Sequence, residues 1–439
     1  MIETNLDYQK VLAEHKNKVN LAVKITAPAI ESKERKPVAF SVCLDRSGSM
    51  QGLPFENALK ACEGVVRNLR KDDLFSLVTF DDSAQTIIPQ APIQNKNEVI
   101  NQIRKLSVRG CTNLGGGWCL SRDELLKSDS DLTRRMLLLS DGIANRGIYD
   151  HHKLTGMSAS GLENNQIRTS CLGFGNQYNE DLLTEMANGS SGNFYDVETP
   201  DKLPEVFEAE LDGALRISVQ NLRVKVSRED FCHRWVNLPG LKGTRHKDGG
   251  IELIVGDLVS EEERSFALQA YVLPIPLGAD GQEVTTLEGE KILKLEFKYD
   301  LIEENQIVSK QEERIIRVSA TQDPAEFKLN ESILPIVTSQ KAGRAMRKAI
   351  EKLDQNRFEE ALKDLEYMLK ELNDLNRPEL VKDAVSAINS VIENIRRGWH
   401  GTRGRKSASY RSHSLRHRSS KEYWSGKEQD RPSFKEENR

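Results

Sequence analysis

The stretch FSVCLDRSGSMQG, residues 40–52, decides how the chain is read. It closes a nearly unbroken apolar run, VAFSVCL at 38–44, and passes into Asp45, Ser47 and Ser49 at alternate positions, with Gly48 between the serines. A continuous apolar run of this length fits a strand buried on both faces, as in a parallel sheet covered by helices. Ligands of such sheets bind outside the carboxyl ends of the strands, where these three side chains fall. One carboxylate and two hydroxyls turned to one point are hard oxygen donors, and Gly48 lets the backbone curl around that point. The chemistry is that of a cation site.

Two further oxygen donors occupy corresponding places. Thr112 lies in the glycine-rich turn RGCTNLGGGW ahead of a helical segment, and Asp141 stands where the apolar run MLLLSDG ends. Two acids and three hydroxyls carry too little negative charge for a tight calcium cage. They suit Mg²⁺ that keeps some of its waters, with Mn²⁺ or Ca²⁺ as substitutes, and leave a coordination position for an outside ligand. Taken alone, Asp45, Ser47 and Ser49 read equally well as a turn capping the next helix. Thr112 and Asp141 favour the cation.

Alternating strands and helices run from residue 38 to about 215, which predicts a doubly wound, mostly parallel α/β unit. Upstream, NKVNLAVKITAP at 17–28 places Val19, Leu21, Val23 and Ile25 on alternate positions, the pattern of a strand with one buried face. From 216 to 325 five short strand candidates follow without a helix between them, predicting an antiparallel β-sandwich. The isolated early strand needs partners, so residues 1–37 are expected to cross back and complete the sandwich, with the α/β unit at 38–215 inserted in it. Residues 326–397 carry helical periodicity in three segments, a hairpin or bundle. From 398 to 439 the tail is rich in Ser, Arg and His, poor in apolar residues, and expected to be disordered.

Of the 439 residues, 38% are apolar and 30% charged, values of a soluble multidomain protein. No apolar run is long enough to cross a bilayer, and the polar N-terminus lacks the features of a secretory signal, so a cytoplasmic location is expected. Six cysteines are too few for a disulfide scaffold and read as buried free thiols. The formal net charge of −4 conceals a tail with 11 Lys or Arg against 5 Asp or Glu after residue 400, which raises contact with nucleic acid as an alternative. His151 and His152 read as solvated, Asp81 and Asp82 as a surface turn in preference to contacts that support the metal residues, and Trp118 as core or a partner-facing anchor.

In the order DRSGS, TN and SDG across an alternating βαβ pattern, these residues resemble the metal-ion-dependent adhesion site of the von Willebrand factor type A (VWA) domain. The resemblance covers residues 38 to about 215, with Asp45, Ser47, Ser49, Thr112 and Asp141 at its five motif positions. It implies binding rather than turnover: a divalent ion, usually Mg²⁺, completed by a carboxylate from a partner protein, and a last helix that shifts as coordination tightens. Here that helix, about 200–215, would pass the shift to the sandwich. Lacking the signal and anchor of secreted members, the chain looks more like bacterial intracellular relatives that serve in assembly, often near AAA+ ATPases. A phosphatase of the haloacid-dehalogenase-like kind would carry Asp-x-Asp, whereas the second position here is Ser47. The expected protein is a non-enzymatic, metal-dependent adaptor.

Overall fold

The computed structural model describes residues 1–29, 37–130, 132–174, 178–197, 199–276, 289–303 and 306–397, together with Arg405, Ala408, Ser409, Arg411, Ser412, Leu415 and Arg416. The chain opens with three strands, β1 (Ile2–Leu6), β2 (Lys10–Leu12) and β3 (Asn17–Thr26). The α/β unit then runs β4 (Val38–Asp45), α1 (Leu53–Asn68), β5 (Leu74–Phe80), β6 (Ala84–Pro92), α2 (Lys96–Arg104), α3 (Leu114–Leu125), β7 (Thr133–Ser140), α4 (His151–Asn165), β8 (Ile167–Phe174), α5 (Glu180–Gly189), β9 (Phe194–Val197) and α6 (Leu203–Leu215). After it come β10 (Ile217–Arg228), β11 (Cys232–Asn237), β12 (Gly243–Arg245), β13 (Ile251–Val259), β14 (Glu263–Val272), β15 (Glu290–Glu303) and β16 (Gln306–Thr321). Three helices, α7 (Leu334–Asp354), α8 (Phe358–Asp374) and α9 (Pro378–Arg396), complete it.

The α/β sheet has the order β6-β5-β4-β7-β8-β9, parallel except for the antiparallel edge strand β6. Every residue of β4 and β8 is buried, which explains their unbroken apolar character. One face is covered by α1, α2 and α6 around Phe40, Val42, Phe55, Val66 and Phe207; the other by α3, α4 and α5 around Trp118, Leu138, Leu154 and Met186. Fully burying each such side chain contributes about 1.5–3 kcal/mol. Trp118 belongs to this core, its indole N–H donating to Thr169 Oγ1 at 3.1 Å.

The strand order reverses on either side of β4, so the crevice of the sheet opens at the carboxyl ends of β4 and β7, beside Asp45 and Asp141. The first strands return to the sandwich as expected: β3 pairs antiparallel with β14 along its whole length, in a sheet β1-β3-β14-β11. The facing sheet is β12-β13-β10-β15-β16-β2. The two layers enclose a common core that includes Val19, Leu21, Val224, Phe266 and Phe297. The α/β unit thus interrupts a sandwich, leaving from β3 in one layer and re-entering at β10 in the other.

A buried ionic cluster joins insert and host. Arg135 on β7 donates to Asp257 Oδ2 at 2.7 Å, Arg168 on β8 lies 3.4 Å from Oδ1, and the Asn221 N–H donates to Oδ1 at 2.9 Å. Burial opposes ionisation of Asp257, yet the Arg168 and Arg135 charges hold it at about 2. Gly256, at φ +98°, leaves room for this approach, since a Cβ there would come within 2.4 Å of Arg168 Nη2.

Helices α7, α8 and α9 form a bundle around Met346, Leu365 and Ile388, and α7 docks on the sandwich through Ile333 and Val337. Gln340 fixes that contact, accepting from the Ala267 N–H at 2.7 Å and donating to Ser265 O at 3.1 Å. The tail departs from expectation at its described positions, which are helical and mostly buried. Arg405 reaches Glu180 at 2.6 Å, Asp181 at 2.5 Å and Asp354, tying the α/β unit to the bundle. Ser412 donates to Gly343 O at 2.8 Å, and Leu415 joins the bundle core. Specific acid partners and packing against the bundle hold these described residues in place; the tail's other residues lie outside those described.

Candidate metal centre

Asp45 ends β4, fully buried, and its two oxygens are held separately. Oδ1 accepts the Ser47 N–H at 2.8 Å and Oδ2 accepts the Ser140 hydroxyl at 2.8 Å. From there a chain of oxygens crosses to the next loop: Ser47 Oγ lies 3.1 Å from Ser49 Oγ, which donates to Asp141 Oδ1 at 2.8 Å. Thr112 is stitched to the Asp141 loop by two bonds, its N–H donating to Asn145 Oδ1 at 3.0 Å and its carbonyl accepting the Asn145 N–H at 3.1 Å. A Cβ on Gly142 would sit 3.3 Å from Thr112 Oγ1 and 3.7 Å from Ser49 Oγ, so both hydroxyls face the turn after Asp141. The three loops anticipated from sequence therefore meet, with Asp45, Ser47, Ser49 and Asp141 in one hydrogen-bonded chain and Thr112 beside it.

The electrostatics ask for a cation. Burial pushes the Asp45 carboxyl up to about 7 against the hydrogen bonds that favour its charge, with Asp141 adding repulsion. Burial likewise raises Asp141, opposed by the Ser49 hydroxyl. No basic side chain among the described residues pairs with either carboxylate. Two buried acids linked through the Ser47 and Ser49 hydroxyls and lacking a counter-charge are a donor set suited to a hard divalent ion. Among the described residues no three His, Cys, Asp or Glu form a metal cluster, so a site here depends on its hydroxyls.

This carries a pH consequence for the metal-free protein. Asp45 keeps its proton in the folded state up to about pH 7, while the unfolded chain releases it near pH 4. Between those values the folded state holds more protons, so stability falls as pH rises, by up to about 4 kcal/mol. Urea midpoints measured in chelator should decline from pH 4 to 7, and Mg²⁺ should flatten the decline by favouring the ionised pair.

The loop geometry rests on residues outside the five motif positions. Arg46, between two donors, is buried and pairs through Nε with Asp81 Oδ2 at 2.8 Å; Arg109 pairs with the same oxygen at 2.7 Å. Asp81 is thus no surface turn. It is buried at the end of β5, and its carbonyl accepts the Asn113 N–H at 2.8 Å where α3 begins. Burial would raise its pKa, but Arg109, the Ser83 N–H and the Arg46 charge hold it below the usual carboxylate range. One carboxylate so locks the Asp45 loop and the Thr112 loop to the same strand end. Its strand-end position was visible in the sequence; partners 35 and 28 residues away were not. Asp81→Asn should weaken Mg²⁺ or Mn²⁺ binding about 10- to 100-fold by calorimetry, the usual cost of losing an outer partner of a metal site.

The remaining candidates stand apart. His151 opens α4 and lies 2.9 Å from Glu185, and all six cysteines are free thiols. Asp82 accepts the Cys111 N–H at 3.2 Å at the rim.

Residues 41–209 match the von Willebrand factor type A domain family. Among curated proteins, the chain is 26% identical over 260 residues to Uncharacterized protein sll0103 of Synechocystis sp., covering 57% of this chain and 61% of that one. The chain thus spans less than two thirds of that relative's length. Among solved structures, a von Willebrand factor type A protein from Catenulispora acidiphila superposes with a TM-score of 0.69 at 15% identity, over 90% of this chain and 89% of that one. The ArnB paralog VWA2 from Sulfolobus acidocaldarius gives 0.60 at 15% identity, over 95% and 98%. Both likenesses extend past the α/β unit, so the interrupted sandwich and the helices belong to a shared fold.

Proposed function

We propose that this chain, which carries a VWA domain inserted in a β-sandwich, is a non-enzymatic protein that docks a partner's carboxylate on a divalent cation. Asp45, Ser47, Ser49, Thr112 and Asp141 would hold the ion as a metal-ion-dependent adhesion site, with Mg²⁺ the best match to their hardness and Mn²⁺ or Ca²⁺ as substitutes. When bound, the ion supplies a coordination position for an anionic oxygen. The observation that carries the reading is the pair of buried carboxylates, Asp45 and Asp141, joined through Ser49 and lacking any basic partner among the described residues.

Each residue has a task in that reading. Ser140 fixes one Asp45 oxygen and the Ser47 N–H the other, so the carboxylate cannot turn away. Ser49 bridges to Asp141, and Arg46 with Asp81 keeps the first loop seated. Hydrolysis finds less support, because Arg46, the basic residue next to Asp45, is engaged with Asp81 and the second motif acid is absent. Nucleic-acid binding through the tail loses part of its charge to internal contacts at Arg405 and Arg416. The setting we favour is a cytoplasmic assembly in which the partner is an AAA+ ATPase or another assembly component. In the described residues no helix is long and apolar enough to cross a membrane.

A pull-down from native lysate separates these readings. Partners held by wild type, and lost both on chelation and in Asp45→Ala/Ser47→Ala, are the expected outcome; retention under both treatments would refute metal-dependent docking.

A further inference from the structure

Around the site the protein exposes large apolar side chains that its core does not use. Leu53 is 65% exposed, Ile143 60%, Ile148 39% and Tyr149 66%. Leu53 follows Ser49 by four residues, and Ile143 follows Asp141 by two. The segment bearing Ile143, Ile148 and Tyr149 is no loose flap. Asn145 is bonded to Thr112 in both directions, Ala144 is buried in the core beneath α3, and a Cβ on Gly115 would meet Ile148 Cβ at 2.8 Å. Ala144 faces in while Ile143 faces out, a fixed arrangement in which an aliphatic side chain is held in water.

Single exposed apolar residues are ordinary, but four on the two segments that follow Ser49 and Asp141 mark a contact surface beside the ligand position. Each leaves apolar surface in water that a partner would cover. The same rim carries Arg109 and Arg146 with largely exposed side chains, paired with Asp81 at 2.7 Å and set 3.9 Å from Asp82. Cationic groups and a metal favour an anion; apolar groups on both segments favour apolar flanks to it.

Resting on the metal-docking reading above, we infer that the partner presents one Asp or Glu with large apolar residues within a few positions of it, the acid completing the ion and its neighbours covering Leu53, Ile143, Ile148 and Tyr149. The acid supplies dependence on metal. The apolar neighbours supply selectivity, so acids in polar surroundings, which abound on protein surfaces, bind poorly.

A random peptide display library selected on the full-length protein in Mg²⁺ tests this. Enriched sequences should combine an acid with large apolar neighbours, and individual peptides should bind at least about tenfold more weakly to Leu53→Ser/Ile143→Ser, the loss expected from about 1.4 kcal/mol of apolar contact. That variant must keep the wild-type thermal shift in Mg²⁺, which shows that its fold and metal site are intact. Acid-centred peptides with polar flanks, bound equally by wild type and variant, would overturn the inference and leave metal docking standing. Peptides without an acid that bind equally in chelator would overturn both. Failure to enrich any sequence joining an acid to apolar residues also counts against the apolar rim.

Discussion

Replacing Asp45 by asparagine should abolish the stabilisation that Mg²⁺ is expected to confer on the wild-type protein. An ion that binds only the folded state raises its stability by about 2.7 kcal/mol at a concentration 100 times its dissociation constant. In the variant that gain should shrink to near zero, and partner affinity should fall at least about 100-fold, the equivalent of about 2.8 kcal/mol. The reason is charge. Asp45 and Asp141 are the two acids of the site, and with one made neutral a doubly charged ion would be desolvated against a single carboxylate. Asparagine keeps an oxygen to accept from Ser47 or Ser140 and preserves volume, so the metal-free fold survives. Thermal denaturation with and without Mg²⁺ reads the effect, and calorimetric titration with Mn²⁺ checks it independently. An undiminished Mg²⁺ shift in the Asp45→Asn variant would place the ion elsewhere.

Asp257→Ala should cost the metal-free protein about 3–5 kcal/mol, because it strands two buried guanidiniums. Arg135 and Arg168 belong to the α/β sheet and Asp257 to the sandwich, so the loss falls on the junction between the two. The Asn221 N–H loses its acceptor as well. Breaking one member of such a cluster is far worse than removing the whole, so joint replacement of Arg135, Arg168 and Asp257 by leucine should recover most of the stability. Urea denaturation of the single and triple variants measures both. Equal losses in the two would show that packing, not stranded charge, sets the cost.

How far the sequence could be read depends on the range over which each signal acts. The α/β unit was legible because strands such as VAFSVCL and RRMLLLS are buried on both faces and need no partner to be recognised. Asp45, Ser47 and Ser49 were legible because their spacing is local, and Thr112 and Asp141 because each stands at an element boundary. Short edge strands escaped: β2 and β12 have three residues each and owe their form to longer neighbours, β16 and β13. The buried state of Asp81 depends on Arg46, inside the first motif, and Arg109, just ahead of Thr112, neither of them one of the oxygen donors. The placement of Arg405 follows from acids that it finds in α5 and α7, one of them 224 residues earlier in the chain. Composition counts charges and is blind to such pairings.

The interruption of the sandwich also sets a timetable. Thr26 pairs with Glu263 and Asn17 with Val272, so the whole α/β unit lies within the loop that this pairing closes. A ribosome delivers β3 long before β14 exists, and for that interval the apolar face formed by Val19, Leu21, Val23 and Ile25 has no sheet opposite it. Contacts of such separation form late, whereas the βα repeats of the insert close short loops and mature early. The nascent protein therefore passes through a stage with a finished insert tethered to a sticky, half-built host, the species in which aggregation competes with completion.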